Sequence, residues 1–349
     1  MNQAQLEQLL GQLKATPAMQ SKMNIAKGLA VHPTKIESLA DLYALPGDDT
    51  AATLTSHGYL LHACEGMIPS FVEHHPYFAG WSAVMANVSD IAAMGGRATS
   101  IVNSFWHQST EQAQALIQGM QDACECYGVP LVGGHTHIDP SFQPALSVAI
   151  QGQAEQLLSV MHVKAKQNIL LVLNLNGHFH PNSTYWKCFE GAAKEKLRAE
   201  LEILPQLAEQ GLVYAARDIS NAGILGSLLM LLEATGYGAD INLENIIKPE
   251  AVEWQDWLQI FPSYGFLLSA DQADSDEVIA QFAQHDLHCV VVGQVNTTTQ
   301  VNIRAEQAQA TFWDFKKQAF TGLCYKEQIQ ALKQYAYQFR YGELKLCQA

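Results

Sequence analysis

The sequence predicts two packed domains, each built from alternating strands and helices. Three observations carry this. The chain has 349 residues, more than one ordinary core accommodates. Strand and helix patterns alternate over the first 154 residues or so. A second strand–helix–strand series then starts near Lys166.

Taken in order, MNQAQLEQLLGQLKA reads as a Gln-rich amphipathic helix, and the basic stretch 21–35, with Lys22 and Lys27, reads as a mobile segment. Residues 46–66 read as two strands turning at Ser56-His57-Gly58. Pro76 to Met94 is helical in pattern and stops at Gly95-Gly96. RATSIVNSFW (97–106) is a strand, and 109–128 a helix whose Ser109 and Gln112 have capping-box spacing. VPLVGG (129–134) and PALSVAIQGQA (144–154) are further strands. In the second unit, 168–175, 265–270 and 288–295 are strands, while 184–210, 219–236 and 272–285 are helices. Residues 311–349 read as a mainly helical, aromatic extension including Tyr325, Tyr335, Tyr337, Phe339 and Tyr341. The boundaries that follow are 1–35, 36–158, 159–323 and 324–349.

Charge and cysteines narrow the function. A net charge of −14 with no basic stripe disfavours nucleic acid and anionic membranes as partners. No apolar run is long enough for a membrane span, and the N-terminus lacks the pattern of a signal peptide. The seven cysteines are scattered and odd in number, as expected of reduced cytoplasmic thiols. Cys124 and Cys126 would leave a helix on different faces, which is poor zinc geometry.

Four short stretches carry candidate chemistry: PGDDTAA, NVSDIAAMGG, VGGHTH and RDISNAG. Asn87 and Asp90 share a helix face. Asp90 sits among small apolar residues at a helix C-terminus, where the dipole disfavours a carboxylate by up to about 1 kcal/mol. It is either a solvated surface acid or a ligand for a cation such as Mg²⁺. Asp48 and Asp49 are either turn residues or paired oxygen ligands. Asp218 is either a helix N-cap or part of a phosphate or metal site. Gly133-Gly134, before His135 and Thr136, permits close backbone approach to a ligand. The GHFHP loop (177–181) faces a substrate on this reading rather than a metal.

In this order, GDD, NxSDIAAMGG, GGHT and DISxxG resemble the AIR synthase (PurM-like) superfamily, over roughly residues 40 to 320. That superfamily includes thiamine-monophosphate kinase, selenophosphate synthetase, a carbamoyl-dehydrating hydrogenase maturation protein and aminoimidazole ribonucleotide synthetase. ACEGM, PYFAG and GGHTH look closest to an uncharacterised AIR synthase-related branch. The resemblance implies an N-terminal α/β domain that forms a homodimer through its sheet, a C-terminal α+β domain, and ATP held in the cleft through Mg²⁺ ions. It implies metal ligation by Asp48, Asp49, Glu65, Asp90 and Asp218. Asp49, Asn87, Gly133, Gly134, His135 and Thr136 would line the nucleotide site, with Lys22 or Lys27 reaching the triphosphate. Catalytic residues are not assigned. His135 and Asn221 stand where kinase-like relatives carry acids, and no Cys precedes position 64, against selenide chemistry. The implied function is kinase-like or ligase-like transfer or activation with the γ-phosphate of ATP onto a small molecule. The alternative is a non-catalytic nucleotide sensor, or a subunit docked through its tail.

Overall fold

A computed structural model describes residues 1–29, 38–181 and 183–331. Two helices, α1 (Gln3–Lys14) and α2 (Pro17–Leu29), precede the first domain. Leu6, Leu9, Leu10 and Leu13 form the buried stripe of α1, at the spacing of one helix face. The stretch expected to be mobile is helical as far as residue 29, and residues 30–35 lie outside the described residues. A short helix, α3 (Leu39–Tyr43), leads into the first strand.

The first sheet contains β1 (Ala51–Thr55), β2 (Gly58–Met67), β3 (Arg97–His107), β4 (Leu131–Ile138) and β5 (Ala145–Ala154). Its order is β1-β2-β5-β3-β4, and only β3 and β4 run parallel. Helices α4 (Pro69–His74), α5 (Pro76–Ala93) and α6 (Thr110–Tyr127) belong to this domain. α5 is buried from Phe78 to Ala93 on every side, as expected of a helix that is apolar all round. Gly80 and Gly119 let α5 and α6 touch backbone to backbone. A Cβ on Gly119 would stand 2.0 Å from Tyr77 O, and one on Gly80 2.2 Å from Leu116 O. The Ser109 hydroxyl accepts from Gln112 N–H at the start of α6, and Gly128 ends it in the left-handed region.

The second sheet has seven strands in the order β14-β13-β10-β12-β6-β11-β9. These are β6 (Asn168–Leu173), β9 (Ala215–Asp218), β10 (Ala239–Asn242), β11 (Gly265–Ala270), β12 (His288–Val295), β13 (Gln300–Ala305) and β14 (Ala308–Asp314). The run NILLVL is buried almost throughout because β6 is central. A hairpin of β7 (His178–Phe179) and β8 (Trp186–Lys187) follows β6. The remaining helices are α7 (Lys194–Gln210), α8 (Gly223–Glu233), α9 (Trp254–Trp257), α10 (Ser275–Ala283) and α11 (Lys326–Ala331).

Two expectations change. The helix expected from 184 starts only at Lys194, because residues before it form the hairpin. The helical reading of 311–349 fails at its start, where β14 extends to Asp314 to pair with β13. Tyr335, Tyr337, Phe339 and Tyr341 lie outside the described residues. α7 joins the two domains: Arg97 of β3 pairs with Glu202 and Glu209, and Arg198 donates to the Glu125 and Cys126 carbonyls at the end of α6.

Candidate functional site

α5 lies between the first sheet and β9, so its C-terminal half faces the junction of the domains. Asn87 is fully buried, and its Nδ2 donates to Ala83 O at 2.7 Å and Val148 O at 3.1 Å. Its Oδ1 has no partner among the described residues. One turn on, Asp90 is 5 % exposed, and its Oδ2 also has no partner there. The surface-acid reading of Asp90 is therefore excluded. A buried, unpartnered carboxylate oxygen is costly unless a cation or proton meets it.

Two other acids converge on Asp90. Asp218 is the last residue of β9, not a helix N-cap; α8 begins five residues later with no side-chain cap. Asp49 comes from the loop before β1. One oxygen each of Asp49, Asp90 and Asp218 lie within 4.8 Å of one another. Burial raises the carboxyl pKa of Asp90, reinforced by the charges of Asp218, Glu65 and Asp49. Asp218 is raised by burial and then by Asp49. Glu65, half-buried on β2, is raised by burial against the opposing charge of Lys22. Oxygen-only donors crowded in this way suit a hard divalent cation such as Mg²⁺.

Two cations face the acids. Arg217 Nε lies 2.9 Å from Asp49 Oδ1, and Nη1 donates to Gly47 O at 2.6 Å. Burial works against the Arg217 charge, but the surrounding carboxylates outweigh it and hold the guanidinium above its ordinary pKa. Asp49 Oδ2 also accepts the Asp218 N–H at 3.0 Å. Lys22, on α2, exerts its charge on Asp49, Glu65 and Asp218. Lys27 instead donates to Asn24 Oδ1 on its own helix.

Not every expected residue joins this group. Asp48 faces Ser159 and Val160, whose hydroxyl and N–H meet its two oxygens at 2.6 and 2.7 Å. Burial pushes its pKa up to about 6 despite these bonds. His135 lies apart from the acids. β4 pairs His135 with Ser104 and His137 with Trp106, and the Trp106, His135 and His137 rings cluster on the outer sheet face. Gly133 shares that face, whereas Gly134 and Thr136 fall opposite Asn103 and the buried Phe105 on the α5 side. Strand alternation separates neighbours in a motif. The GHFHP histidines lie elsewhere too: His178 is 3.1 Å from Glu190, and the His180 ring is 5.0 Å from that of His75.

Asn103 was missed. Its Oδ1 is buried and without a partner among the described residues, and it pairs across β3 with Val148, whose carbonyl Asn87 holds. The signal was legible: Ile101, Asn103 and Phe105 alternate inward, and only Asn103 is polar. Arg217 was quoted within RDIS but given no role.

The family described as AIR synthase related protein matches twice, its N-terminal domain over residues 47–154 and its C-terminal domain over 187–306. The chain belongs to this family. It is 39 % identical to an uncharacterised protein of Synechocystis over 79 % of this chain and 86 % of that protein. It is 30 % identical to another from Methanocaldococcus jannaschii, over 70 % of this chain and 76 % of that protein. Among solved structures, Thermotoga maritima PurL complexed with ATP is similar in fold, with TM-score 0.66 and 18 % identity over 87 % of this chain. The present chain spans 54 % of that PurL chain. The fold is PurM-like, with two domains as the family matches divide them. No helix among the described residues is long and apolar enough to cross a membrane.

Proposed function

We propose that this family member is a Mg²⁺-dependent, ATP-using enzyme that transfers or activates with the γ-phosphate onto a small molecule. The observation that carries this reading is the unpartnered, buried Asp90 Oδ2 within a group of three carboxylates. Asp90, Asp218, Asp49 and Glu65 would hold Mg²⁺. Bound there, the ion would neutralise charge on the phosphates and fix their position. Asn87 and Asn103 leave unpartnered amide oxygens between α5 and the inner sheet face, which suit a cation or its bound water. Lys22 brings a cation to the acids from α2, which suits a polyphosphate. The ATP in the similar PurL structure supports the choice of nucleotide.

The protein acts in this reading as a cytosolic homodimer, with domains divided near residue 158. The outer face of the first sheet, with Val102 and Val132 exposed, is the surface for the second copy.

The test is ADP release from ATP and Mg²⁺ across a panel of small-molecule acceptors. Release that depends on one acceptor, and falls by about 100-fold or more in Asp90→Asn, is expected. Nucleotide binding without release for any acceptor would favour a non-catalytic sensor instead.

A further inference from the structure

We propose that Arg217 is a positioning residue that sets the metal count of the acid cluster at one divalent ion per nucleotide-free chain. This rests on the metal-binding reading above, and goes beyond it to a residue that reading does not use.

The argument begins with charge. Asp49, Glu65, Asp90 and Asp218 bring four carboxylates together, and their mutual influence is direct. Arg217 and Lys22 supply two positive charges to the same group. One divalent ion then balances four negative charges. A second would leave two excess positive charges in a buried place, where like charges repel strongly. Without Arg217 a second leaves one, no larger than the imbalance that a single ion leaves.

Arg217 is also fixed in position. Its side chain is 11 % exposed, its Nε faces Asp49 at 2.9 Å, and its Nη1 holds Gly47 O at 2.6 Å. A guanidinium keeps its proton in proteins. Asp49 Oδ2 accepts the Asp218 N–H, and its Oδ1 faces Arg217 Nε as an ion pair without a formed hydrogen bond, whereas Asp90 Oδ2 has no partner of either kind among the described residues. Asp49 therefore shares its charge between the built-in monovalent cation and the divalent ion, whereas the Asp90 side is left for the divalent ion alone.

The test counts Mn²⁺ bound to the nucleotide-free full chain by electron paramagnetic resonance, with thermal unfolding as the check on folding. The expected count is one in the unsubstituted protein, two in Arg217→Gln, and one in Arg217→Lys, which keeps the charge. An arginine that only supports the structure would not raise the count when removed. Two or more ions in the unsubstituted chain overturn the proposal without any variant. One ion in both the unsubstituted chain and Arg217→Gln overturns the role of Arg217 but leaves the metal site standing. No bound Mn²⁺ at all overturns both.

Discussion

Asp49 and Arg217, far apart in sequence and in different domains, face each other at 2.9 Å. The pair ties the loop before β1 to the end of β9 and brings Asp49 into reach of Asp90 and Asp218. The acid cluster thus exists only when the two domains are packed together, which makes several outcomes measurable.

Mg²⁺ should stabilise the protein, and more so at higher pH. Burial and neighbouring acids raise the carboxyl pKa of Asp90 and Asp218, so a cation displaces protons as it binds. The Mg²⁺-induced rise in unfolding temperature should be larger at about pH 8 than at about pH 6. Asp90→Asn should remove most of that rise and itself stabilise the metal-free protein at the higher pH. A rise independent of pH would contradict this electrostatic account.

Asp48→Asn should cost stability rather than metal. Its two oxygens hold Ser159 Oγ and Val160 N–H, and an amide can keep only one of these acceptors. A loss of about 1–2 kcal/mol in denaturant unfolding is expected at about pH 5, with the Mn²⁺ count unchanged. The loss should be smaller at about pH 8, where the raised carboxyl of the unsubstituted chain has lost stability by ionising. A lower count would return Asp48 to the ligand set.

Gly119→Ala should destabilise the first domain. A methyl group there meets Tyr77 O at 2.0 Å and Trp81 N at 3.1 Å, both backbone atoms of α5. The helices must separate, at a cost of about 2 kcal/mol or more. Unfolding at the same denaturant midpoint as the unsubstituted chain would show that the α5–α6 contact is looser than described.

Glu200, on α7, gives a pH-dependent prediction independent of the cluster. Its Oε1 accepts from Asn174, its Oε2 has no partner among the described residues, and burial pushes its pKa up from 4.5 to about 7. A carboxyl raised in the folded state contributes stability that is lost as pH rises from its unfolded value through the folded one. Glu200→Gln should therefore matter little near pH 4.5. At about pH 8 it should stabilise by about 1–2 kcal/mol, less than the full shift because the amide brings its own N–H donors into a buried site. An equal effect at both pH values would show that Glu200 does not titrate in this range.

The sequence revealed what is local. Small apolar neighbours and Gly95-Gly96 mark Asp90 as a buried acid near a helix end, and α5 holds it that way. Asn87 and Asp90 share a face because three residues make nearly one turn. What depends on strand pairing was harder to read. His135 and Thr136 are adjacent in GGHT, yet the β3–β4 register turns them to opposite faces. Asn103, by contrast, was legible as the polar residue between the inward Ile101 and Phe105. Long-range pairing was illegible: nothing near Arg217 in the chain announces Asp49, and nothing near Asp48 announces Ser159. The hairpin ahead of α7 was hidden because Trp186 and Lys187 gain strand structure only by pairing with His178 and Phe179.

The central claim is that Asp90 and its neighbours hold a nucleotide through a divalent cation. Calorimetric titration of a non-hydrolysable ATP analogue, with Mg²⁺ and then with a chelator, tests it most directly. The account predicts binding with Mg²⁺, loss of that binding on chelation, and weakening by about tenfold or more in a folded Asp90→Asn chain. Equal affinity with and without Mg²⁺, unchanged by Asp90→Asn, would contradict it.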